Sequence, residues 1–545
     1  MNYAAMKEHT TDILFVTPSY SPSLRQESIG TLIIAKKAQL ANYVVKIVRF
    51  WEVDMTRYSS FKIELCNHIL TFNPKIVSFY CRGAEYHILV DLASYLKTLQ
   101  PNICIVFGGP QAELVAEDTL AQFADIDFVC CGEGENTIVP LLDFIIKNNQ
   151  NIDLARLLTG LVYRDKYNNI CKNKLPELLP DNYTRNFNYY DLIPMSVISQ
   201  SKSVTIDVGR GCPFSCTFCS TKTFWKQKYR LRHISDTINE IDYIIKHFGK
   251  KLFSFSHDLF TVNKSRIIEF CDKILENNYN IKWTCSSRID SINHKMIDKM
   301  ALSGLVAVYF GIETGSPRMQ KIINKRLNIE QCVDIVRYSI SRGVAATTSF
   351  IYGFPEETYE DLEQTLCIMH KMLSIGADVQ LHCLSLDKGS VLYEQYHNKQ
   401  VFVKNDNLES FGFYELAGLI EKHPDIFSTF WDYPSELRQN MKFLHTFHSI
   451  GREYPKTYIA VISLLLDKGS KYVDAYRMIF DMINNSIAHF ENAHVKISKS
   501  MCYFIFVKII SKLTNESYAI NLSITEQDIT NLKDVLSIEN QHLIK

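Results

Sequence analysis

The chain has 545 residues, of which 46% are hydrophobic and 22% charged, a composition typical of globular proteins. Its length predicts about three or four domains. The 59 basic and 59 acidic side chains give no net charge, which argues against a nucleic-acid substrate. The longest apolar run, residues 459–466, is too short to span a bilayer, and residues 1–11 lack the apolar core of a signal peptide. The 15 scattered cysteines do not form a secreted disulfide pattern, so we expect a cytoplasmic protein.

Short apolar runs alternate with helical segments over residues 1–150, beginning at residue 12. The runs are nearly continuous and rich in β-branched residues, which predicts an α/β domain with a doubly wound parallel sheet of the Rossmann type. Ligands of such sheets bind beyond the carboxyl ends of the strands, where glycine allows close approach of the backbone. Glycine-containing loops follow two of the predicted strands, at Gly108-Gly109-Pro110 and Gly132-Glu133-Gly134-Glu135. Periodicity alone fits a domain with or without a ligand equally well.

Residues 151–200 are predicted to connect this domain to the next. Residues 160–165 have the pattern of a short hairpin strand, and three prolines among many aromatic residues at 176–194 indicate a wrapping linker. Strand and helix patterns alternate again over residues 201–395.

Three cysteines follow the first predicted strand of that region in the spacing C-x₃-C-x₂-C, at Cys212, Cys216 and Cys219. Iron–sulfur clusters normally take four thiolates, so three close cysteines predict a [4Fe–4S] cluster with one iron open to a ligand. A zinc site is the alternative. No second pair of cysteines or histidines follows at zinc spacing, which favours the cluster.

The segment 207–220, with the sequence DVGRGCPFSCTFCS, resembles the signature of the radical SAM superfamily. The resemblance implies that the open iron binds S-adenosylmethionine (SAM), which an electron from the cluster splits to give a 5′-deoxyadenosyl radical. It also implies an electron donor such as flavodoxin or ferredoxin. Six strands are predicted within residues 201–395, at 203–208, 252–256, 281–285, 305–311, 345–351 and 379–384. Five helical stretches separate them, beginning near Ile234, Lys264, Asn293, Ile329 and Tyr359. This pattern fits the partial (β/α)₆ barrel of that superfamily.

Loops at the ends of the later strands resemble the SAM-binding loops of the superfamily. The residues that this resemblance assigns to SAM are His257, Ser286, Arg288, Glu313, Gly353, Pro355 and Glu356. A guanidinium such as that of Arg288 suits the SAM carboxylate, with a structural ion pair as the alternative. For Glu313 the alternative is an exposed cap. The basic segment 229–233 either holds a cofactor at the domain junction or forms a solvated turn, and we favour the solvated turn.

The glycine loops of the first domain resemble the cobalamin-binding domain that precedes the barrel in class B radical SAM methyltransferases. The residues that this resemblance assigns to cobalamin are Gly108, Gly109, Gly132, Glu133, Gly134 and Glu135. Cobalamin proteins with a histidine cobalt ligand carry the motif Asp-x-His-x-x-Gly, which this sequence lacks. The cobalt would then have no protein histidine, or the domain has lost cobalamin.

Residues 396–545 have a helical pattern and no recognisable motif, and similar enzymes use this region to cap the barrel and select the substrate. The dense aromatic residues, including Phe427 and Phe430, are expected to form core rather than a ligand site.

The resemblance implies methylation of an unactivated carbon, or of phosphorus, in a small molecule such as a natural product or in a peptide. One alternative is a radical cyclase, ring-contraction enzyme or epimerase. An epimerase would need a hydrogen donor such as Cys285 or Cys383, although we favour both as buried apolar residues. The other alternative is a non-catalytic cobalamin or iron–sulfur sensor.

Overall fold

The computed structural model describes residues 11–19, 28–51, 58–402 and 415–435, and beyond these 437, 444, 459, 462, 463, 465–467 and 469–478. The described residues divide into two compact units. The first takes those within 1–286, 302–305 and 385–433, and the second those within 287–301, 306–384 and 434–545. The helices predicted at 436–450, 456–466 and 472–487 lie largely outside the described residues, although residues 472–478 are helical.

The first unit begins with a seven-stranded sheet and its helices. The elements in chain order are β1 (Thr11–Ser19), α1 (Ile29–Leu40), β2 (Val45–Trp51), α2 (Tyr58–Thr71), β3 (Pro74–Tyr80), α3 (Tyr86–Leu99), β4 (Cys104–Gly108), α4 (Pro110–Leu114), α5 (Ala116–Gln122), β5 (Phe128–Cys130), α6 (Ile138–Leu142), α7 (Ile152–Ala155), β6 (Leu161–Arg164), β7 (Ile170–Lys172) and α8 (Met195–Gln200). The strand order is β2-β1-β3-β4-β5-β6-β7, and the first five strands are parallel.

Both faces of this sheet are buried, which explains the continuous apolar runs of its strands. Along β1, Leu14 and Val16 belong to one core cluster, whereas Ile13 and Phe15 belong to the cluster on the other face. The alternation follows from the two-residue period of a strand. A parallel sheet covered on both sides places its open edge, and hence its ligand site, at the carboxyl ends of the strands.

Two segments outside residues 1–150 complete the N-terminal sheet and its core. The antiparallel hairpin β6–β7, which lies within the predicted linker, pairs with β5 and extends the sheet. Within residues 415–433, the buried side chains of Phe427 and Phe430 join the core that contains Tyr86. The side-chain amide of Gln111 donates a hydrogen bond to the Ile426 carbonyl oxygen (2.9 Å). The expectation that these aromatic residues form core is confirmed.

The chain then enters the region with the predicted barrel pattern. Its elements up to residue 287 are β8 (Val204–Asp207), β9 (Gly209–Arg210), α9 (Thr221–Trp225), β10 (Arg230–Leu231), α10 (Ile234–Phe248), β11 (Leu252–Ser256), α11 (Lys264–Glu276) and β12 (Lys282–Ser287). Strands β8 and β12 each pair in parallel with β11. The cysteine loop lies between β9 and α9, after the first strand, as predicted.

The second unit continues the same strand–helix alternation. Most of its residues lie in α12 (His294–Leu302), β13 (Leu305–Glu313), α13 (Pro317–Ile322), α14 (Ile329–Ser341), β14 (Ala345–Tyr352), α15 (Tyr359–Ser374) and β15 (Asp378–Cys383). Within this unit β14 pairs in parallel with both β13 and β15. Residues 385–433 belong to the first unit again and form α16 (Val391–Tyr396), β16 (Val401–Phe402), α17 (Ala417–Lys422) and β17 (Trp431–Asp432). The predicted α/β class is confirmed.

Local capping explains why the predicted helix starts are accurate. The side chains of Asn263 and Asn328 accept a backbone N–H at the starts of α11 and α14. Thr358 and Asp361 form a reciprocal capping box at α15. Each signal lies within four residues of the helix that it begins, so it is readable from the sequence. Among the described residues, no helix is long and apolar enough to cross a membrane.

Candidate active site

The three cysteines of the predicted cluster site lie on the loop between β9 and α9. All three are half-buried. The backbone N–H of Cys219 donates to the Cys216 carbonyl oxygen (3.2 Å), which closes the C-x₂-C half of the motif into a tight turn. The Cys219 thiol is 3.1 Å from the Thr221 hydroxyl. The loop therefore presents three potential thiolate ligands within one short, partly accessible segment.

The ionisation of these thiols depends on what binds them. Burial, followed by negative charge at Cys216 and Cys219, raises the pKa of the Cys212 thiol to about 11. Metal ligation needs the thiolate, and bound iron supplies the positive charge that lowers a thiol's pKa. In the described part of the chain, no three Cys, His, Asp or Glu side chains already surround one point as metal ligands would. The donor set suits a cluster, and the assignment of these three ligands stays a prediction.

A cavity of about 560 Å³ lies within the first unit, beside the cysteine loop. This volume is in the range of ligand pockets, about 300–1,000 Å³. One wall, hereafter the sheet wall, is formed by α1, by the carboxyl end of β3 and by the loops that follow β4 and β5. The facing wall, hereafter the cysteine-loop wall, is formed by residues 207–210, 221–225 and 256–258. The two sequence motifs that predict different cofactors therefore border the same cavity.

The sheet wall fits a large ligand because its loops lack side chains where they pack most closely. Gly108, Gly109, Gly132 and Gly134 all line the cavity. Gly109 has φ +104°, and a Cβ at this position would lie 2.9 Å from the Cys81 carbonyl oxygen. Only glycine fits this turn, so the backbone itself borders the cavity there.

Two glutamates that the sequence assigns to cobalamin are instead held by arginines. Glu133 is buried and pairs with Arg210 (2.9 Å) and with Arg230 (2.9 Å), while Glu135 also pairs with Arg210. Both glutamates line the cavity, but their charge is neutralised from the cysteine-loop side. Their position at the cavity is as predicted, and their partners were not foreseen.

The favoured interpretation of residues 229–233 as a solvated basic turn is wrong. Arg230 and Arg232 are 2% and 3% exposed. Arg232 pairs with the buried Glu240, which also pairs with Arg185. One sequence signal could have indicated this network. Residues 209–233 contain six Lys or Arg and no Asp or Glu, so the buried members of this set needed acidic partners from elsewhere in the chain.

His257, a predicted SAM ligand, lines the same cavity but has both ring nitrogens engaged. Its Nδ1 accepts from the Leu259 N–H (2.8 Å), and its Nε2 lies 3.2 Å from the Arg230 carbonyl oxygen. Burial lowers the pKa of His257 to about 4, so the ring is neutral at physiological pH. The described contacts fit a structural role, and its assignment to SAM stays a prediction.

The neighbouring Asp258 is a cavity residue that the sequence-based set of ligands omitted. Its carboxylate accepts a hydrogen bond from the Gly211 N–H (2.9 Å). Burial raises the pKa of Asp258, and the nearby Trp225 side chain partly offsets this effect. Gly211 and Trp225 lie on either side of the cysteines in the sequence, so Asp258 lies beside both ends of the cysteine loop.

Glu113 is a second omitted cavity residue, on the sheet wall. Its carboxylate accepts from the Gly132 N–H (2.8 Å). Burial raises the pKa of Glu113, as it also does for Asp258. Each wall thus carries a carboxyl group that hydrogen-bonds the backbone of a glycine.

Two of the predicted SAM residues lie at the end of β12, Ser286 within the strand and Arg288 directly after it. The backbone oxygen of Ser286 accepts from the Phe260 N–H (3.0 Å) in the first unit. In the second unit, the Arg288 guanidinium is buried, donates to the Lys325 carbonyl oxygen and pairs with Asp290 (2.8 Å). The structural ion pair that we gave as the alternative for Arg288 is therefore present.

Glu313 is the last residue of β13, and it is buried rather than an exposed cap. Its carboxylate pairs with Lys325 (2.6 Å), and its φ of +71° is unusual for a residue other than glycine. Strained backbone of this kind is concentrated at functional sites. The assignment of Glu313 to SAM stays a prediction.

The loop after β14 contains Gly353, Pro355 and Glu356. Glu356 is exposed, and its backbone oxygen accepts from Arg318 (2.6 Å). The adjacent Glu357 is buried, and its carboxyl accepts from the Gly353 N–H (2.6 Å). Burial raises the pKa of Glu357 to about 8. The carboxyl that holds this glycine turn is therefore Glu357, one position beyond the predicted residue.

Comparison with known proteins identifies a domain family for each of the two regions whose walls border the cavity. The sequence model of the Radical SAM superfamily matches residues 206–366, and that of the B12 binding domain matches residues 25–142. The uncharacterized methyltransferase PH0819 of Pyrococcus horikoshii is 32% identical over 332 residues, which cover 60% of this chain and 70% of that protein.

Two further similarities extend the comparison. The anaerobic magnesium-protoporphyrin IX monomethyl ester cyclase of Rubrivivax gelatinosus is 26% identical over 366 residues, covering 65% of this chain and 64% of the cyclase. The solved structure of the cobalamin-dependent S-adenosylmethionine radical enzyme OxsB with aqua-cobalamin bound has a TM-score of 0.63 at 16% identity. The match covers 96% of this chain and 84% of OxsB, and supports the fold.

The chain belongs to the radical SAM superfamily, among the enzymes that also carry a B12-binding domain. Its cofactors are accordingly a [4Fe–4S] cluster and SAM for the radical SAM domain and cobalamin for the N-terminal domain.

Proposed function

We propose that the protein methylates an unactivated carbon, or phosphorus, of a small-molecule natural product or a peptide. The observation that carries the proposal is the shared cavity, which the glycine loops of the B12-type domain and the segments flanking the cysteine loop border together. A methyl carrier and a radical generator must reach the same substrate atom, so their binding residues need a common space. The methyltransferase relative from Pyrococcus horikoshii supports this reaction over others.

The bound cofactors would supply a hydrogen-abstracting radical and a carrier for the methyl group. The residues of this chain would supply position and shielding. Cys212, Cys216 and Cys219 would hold the cluster, and Asp258 would fix the loop that carries them. The ion pairs of Glu133 with Arg210 and Arg230 would keep the cysteine-loop wall against the sheet wall. A buried network of this kind also limits the entry of water to the cavity.

The reaction would need an external one-electron donor, and we propose a small acidic redox protein such as flavodoxin or ferredoxin. A reducing compartment such as the cytoplasm suits the 14 described cysteines, all of which are free thiols.

A second candidate function keeps the radical chemistry without methyl transfer. The Rubrivivax gelatinosus relative is a cyclase, and it is similar over a comparable share of this chain. Of the two cysteines considered as hydrogen donors, Cys285 is buried and its pKa is raised by burial, whereas Cys383 is half-buried. Cys383 is therefore the more accessible candidate.

The deciding experiment uses anaerobically purified protein with a reconstituted cluster, incubated with hydroxocobalamin, SAM and a reductant. Methyl transfer predicts retained cobalamin together with both S-adenosylhomocysteine and 5′-deoxyadenosine. The matched control is the triple variant with Cys212, Cys216 and Cys219 changed to Ala, which should lose 5′-deoxyadenosine. Formation of 5′-deoxyadenosine without S-adenosylhomocysteine, in protein that binds cobalamin, would favour the cyclase-type alternative. Cofactor binding with no SAM cleavage in the presence of a substrate extract would favour a sensor.

A further inference from the structure

Trp225 occupies an unusual place at the end of α9. Its side chain lines the cavity together with those of Thr221 and Phe224, which lie four residues and one residue before it. Positions separated by three or four residues share one face of a helix, so the short helix turns these residues toward the cavity. Lys222 and Lys226, outside that set, are exposed. The cysteine-loop wall therefore contains an aromatic surface directly after the cysteines.

Three neighbours hold the indole of Trp225 in place. The Arg230 guanidinium lies over the ring, 5.2 Å from its centroid. The Asp258 carboxyl is near enough for the Trp225 side chain to lower its pKa. Gly211 has φ +85°, and a Cβ there would lie 3.0 Å from the Trp225 Cβ, so a larger residue at position 211 would collide with this side chain. The ring is thus bordered by a cation, a carboxyl group and a position without a side chain.

The turn that follows Trp225 is strained. Lys226 and Gln227 have φ of +50° and +57°, and the Lys228 N–H donates to the Trp225 carbonyl oxygen (2.8 Å). Left-handed conformations are unfavourable for residues other than glycine, and they persist where the surroundings demand them. This turn leads the chain within a few residues to Arg230, whose guanidinium lies over the indole.

Comparison with Trp283 shows that packing alone does not require this arrangement. Trp283 is completely buried, and its indole N–H donates to the Ser303 carbonyl oxygen (3.1 Å). It fills the core of the same unit. Trp225 is only half-buried and borders a cavity, yet a guanidinium lies over its ring. A surface that is fixed but left open is suited to contact with a ligand.

We propose that Trp225 is a cofactor-binding residue whose indole contacts the macrocycle of bound cobalamin from the cysteine-loop wall. A corrin presents a broad, largely apolar surface, and an indole offers a large, rigid apolar area in return. The proposal rests on the use of cobalamin in the proposed function. It adds a contact from the radical SAM domain to those expected from the B12-type domain, and it makes Arg230 and Asp258 positioning residues for the indole.

The test is a titration of the purified protein with hydroxocobalamin, followed by the visible absorbance of the cofactor and by tryptophan emission. The variants are Trp225→Phe and Trp225→Ala, with Trp431→Phe as the matched control. Trp431 is also half-buried and lies in the first unit, but it packs against the core of the N-terminal domain. Circular dichroism and thermal unfolding verify that each variant is folded.

We expect Trp225→Ala to raise the Kd for hydroxocobalamin at least tenfold, Trp225→Phe to raise it less, and Trp431→Phe to leave it unchanged. The fraction of tryptophan emission quenched by saturating cobalamin should fall in Trp225→Phe, because corrin absorption quenches nearby indoles most strongly. If Trp225→Ala does not fold, the emission and Kd of Trp225→Phe decide.

A wild-type Kd in Trp225→Ala, or unchanged quenching in Trp225→Phe, would overturn the proposal while leaving the proposed function intact. Wild-type protein that binds no hydroxocobalamin at all would instead remove the cobalamin part of the proposed function, and this inference with it.

Discussion

The two walls of the cavity differ in what defines their shape. The sheet wall is shaped by backbone and by missing side chains, as at Gly109, where a Cβ has no room. The cysteine-loop wall is shaped by side chains that ion pairs and hydrogen bonds hold in place, such as Arg210, Trp225 and Asp258. Added atoms should therefore damage the first wall, whereas lost contacts should damage the second.

This difference matters for how each wall can change. A glycine-lined wall has few side chains to alter, so it suits the binding of one large and invariant cofactor. A wall of held side chains can be altered one contact at a time, which suits a cofactor whose surroundings must be tuned. The four predictions below test this contrast, in order of decreasing expected effect.

The largest effect is expected at the cysteines. Replacing Cys212, Cys216 and Cys219 together with Ala should abolish the visible absorbance of the reconstituted cluster, because three of its ligands are removed. Iron and sulfide analysis gives the measurement. The control is Cys171→Ala, a half-buried cysteine on β7, which should retain the cluster. Full iron and sulfide content in the triple variant would place the cluster elsewhere.

The buried ion pairs of the cysteine-loop wall come next. Glu133→Gln removes the carboxylate that both pairs with Arg230 and neutralises Arg210, and leaves a buried cation uncompensated. Loss of one partner of a buried pair typically costs about 3–5 kcal/mol, measurable by urea unfolding. The matched control is Glu117→Gln, because Glu117 pairs with Lys172 at side-chain exposures of 56% and 41%. That exposed pair should contribute less than about 1 kcal/mol. Equal losses in the two variants would contradict the distinction.

The third prediction concerns pH. The folded state lowers the pKa of His257 to about 4, below the ordinary value of 6.5, so the unfolded chain binds the proton more readily. The stability that neutral His257 contributes is fully present above pH 6.5 and is lost as the pH falls toward 4, by at most roughly 3 kcal/mol. Thermal unfolding of His257→Asn should show a smaller loss of stability than wild type across this range. His68 is exposed and lies outside the cavity lining, so the stability of His68→Asn should follow the wild-type pH dependence. An equal change in both variants would show that the pH dependence does not come from the burial of His257.

The smallest effect tests the sheet wall by adding atoms to it. Gly30 is an exposed residue of α1 that lines the cavity, and a Cβ there would meet nothing within 4 Å. Gly30→Leu should therefore fold normally but place bulk at the cavity, and we expect about tenfold weaker hydroxocobalamin binding, or ~1.4 kcal/mol. Gly418→Leu is the matched control, since Gly418 is also exposed, helical and unobstructed but lies outside the cavity lining. Unchanged affinity in Gly30→Leu would show that the ligand does not approach α1.

The order of elements was predictable because the signals are local. The starts of α10, α11, α14 and α15 at Ile234, Lys264, Ile329 and Tyr359 match the predicted positions. The ends of the six barrel-type strands were predicted to within two residues, since polar loops interrupt the apolar runs there. The candidate site was predictable to the level of its loops for the same reason.

The partners within those loops were not predictable. Glu133 and Arg230 are 97 positions apart, so no local pattern links them. Glu356 is exposed and its neighbour Glu357 is buried. Both are glutamates, so residue type does not reveal which carboxyl turns inward. Trp225 was omitted because an aromatic residue in a short basic segment fits a surface turn as well as a cavity wall. Phe427 and Phe430 pack in the N-terminal core, and which core they join depends on tertiary contacts that no local pattern encodes.

The contact of these late residues with the N-terminal core has a consequence for folding during synthesis. The core under α3 includes residues near position 430, about 300 residues after β5 has been synthesised. At a translation rate of about 5–20 residues per second, the N-terminal domain must wait roughly 15–60 s for the aromatic residues that complete it. The nascent B12-type domain therefore exposes an apolar surface throughout that interval. A chaperone that binds apolar segments during translation should raise the yield of this enzyme, and a truncated chain that ends before residue 415 should aggregate.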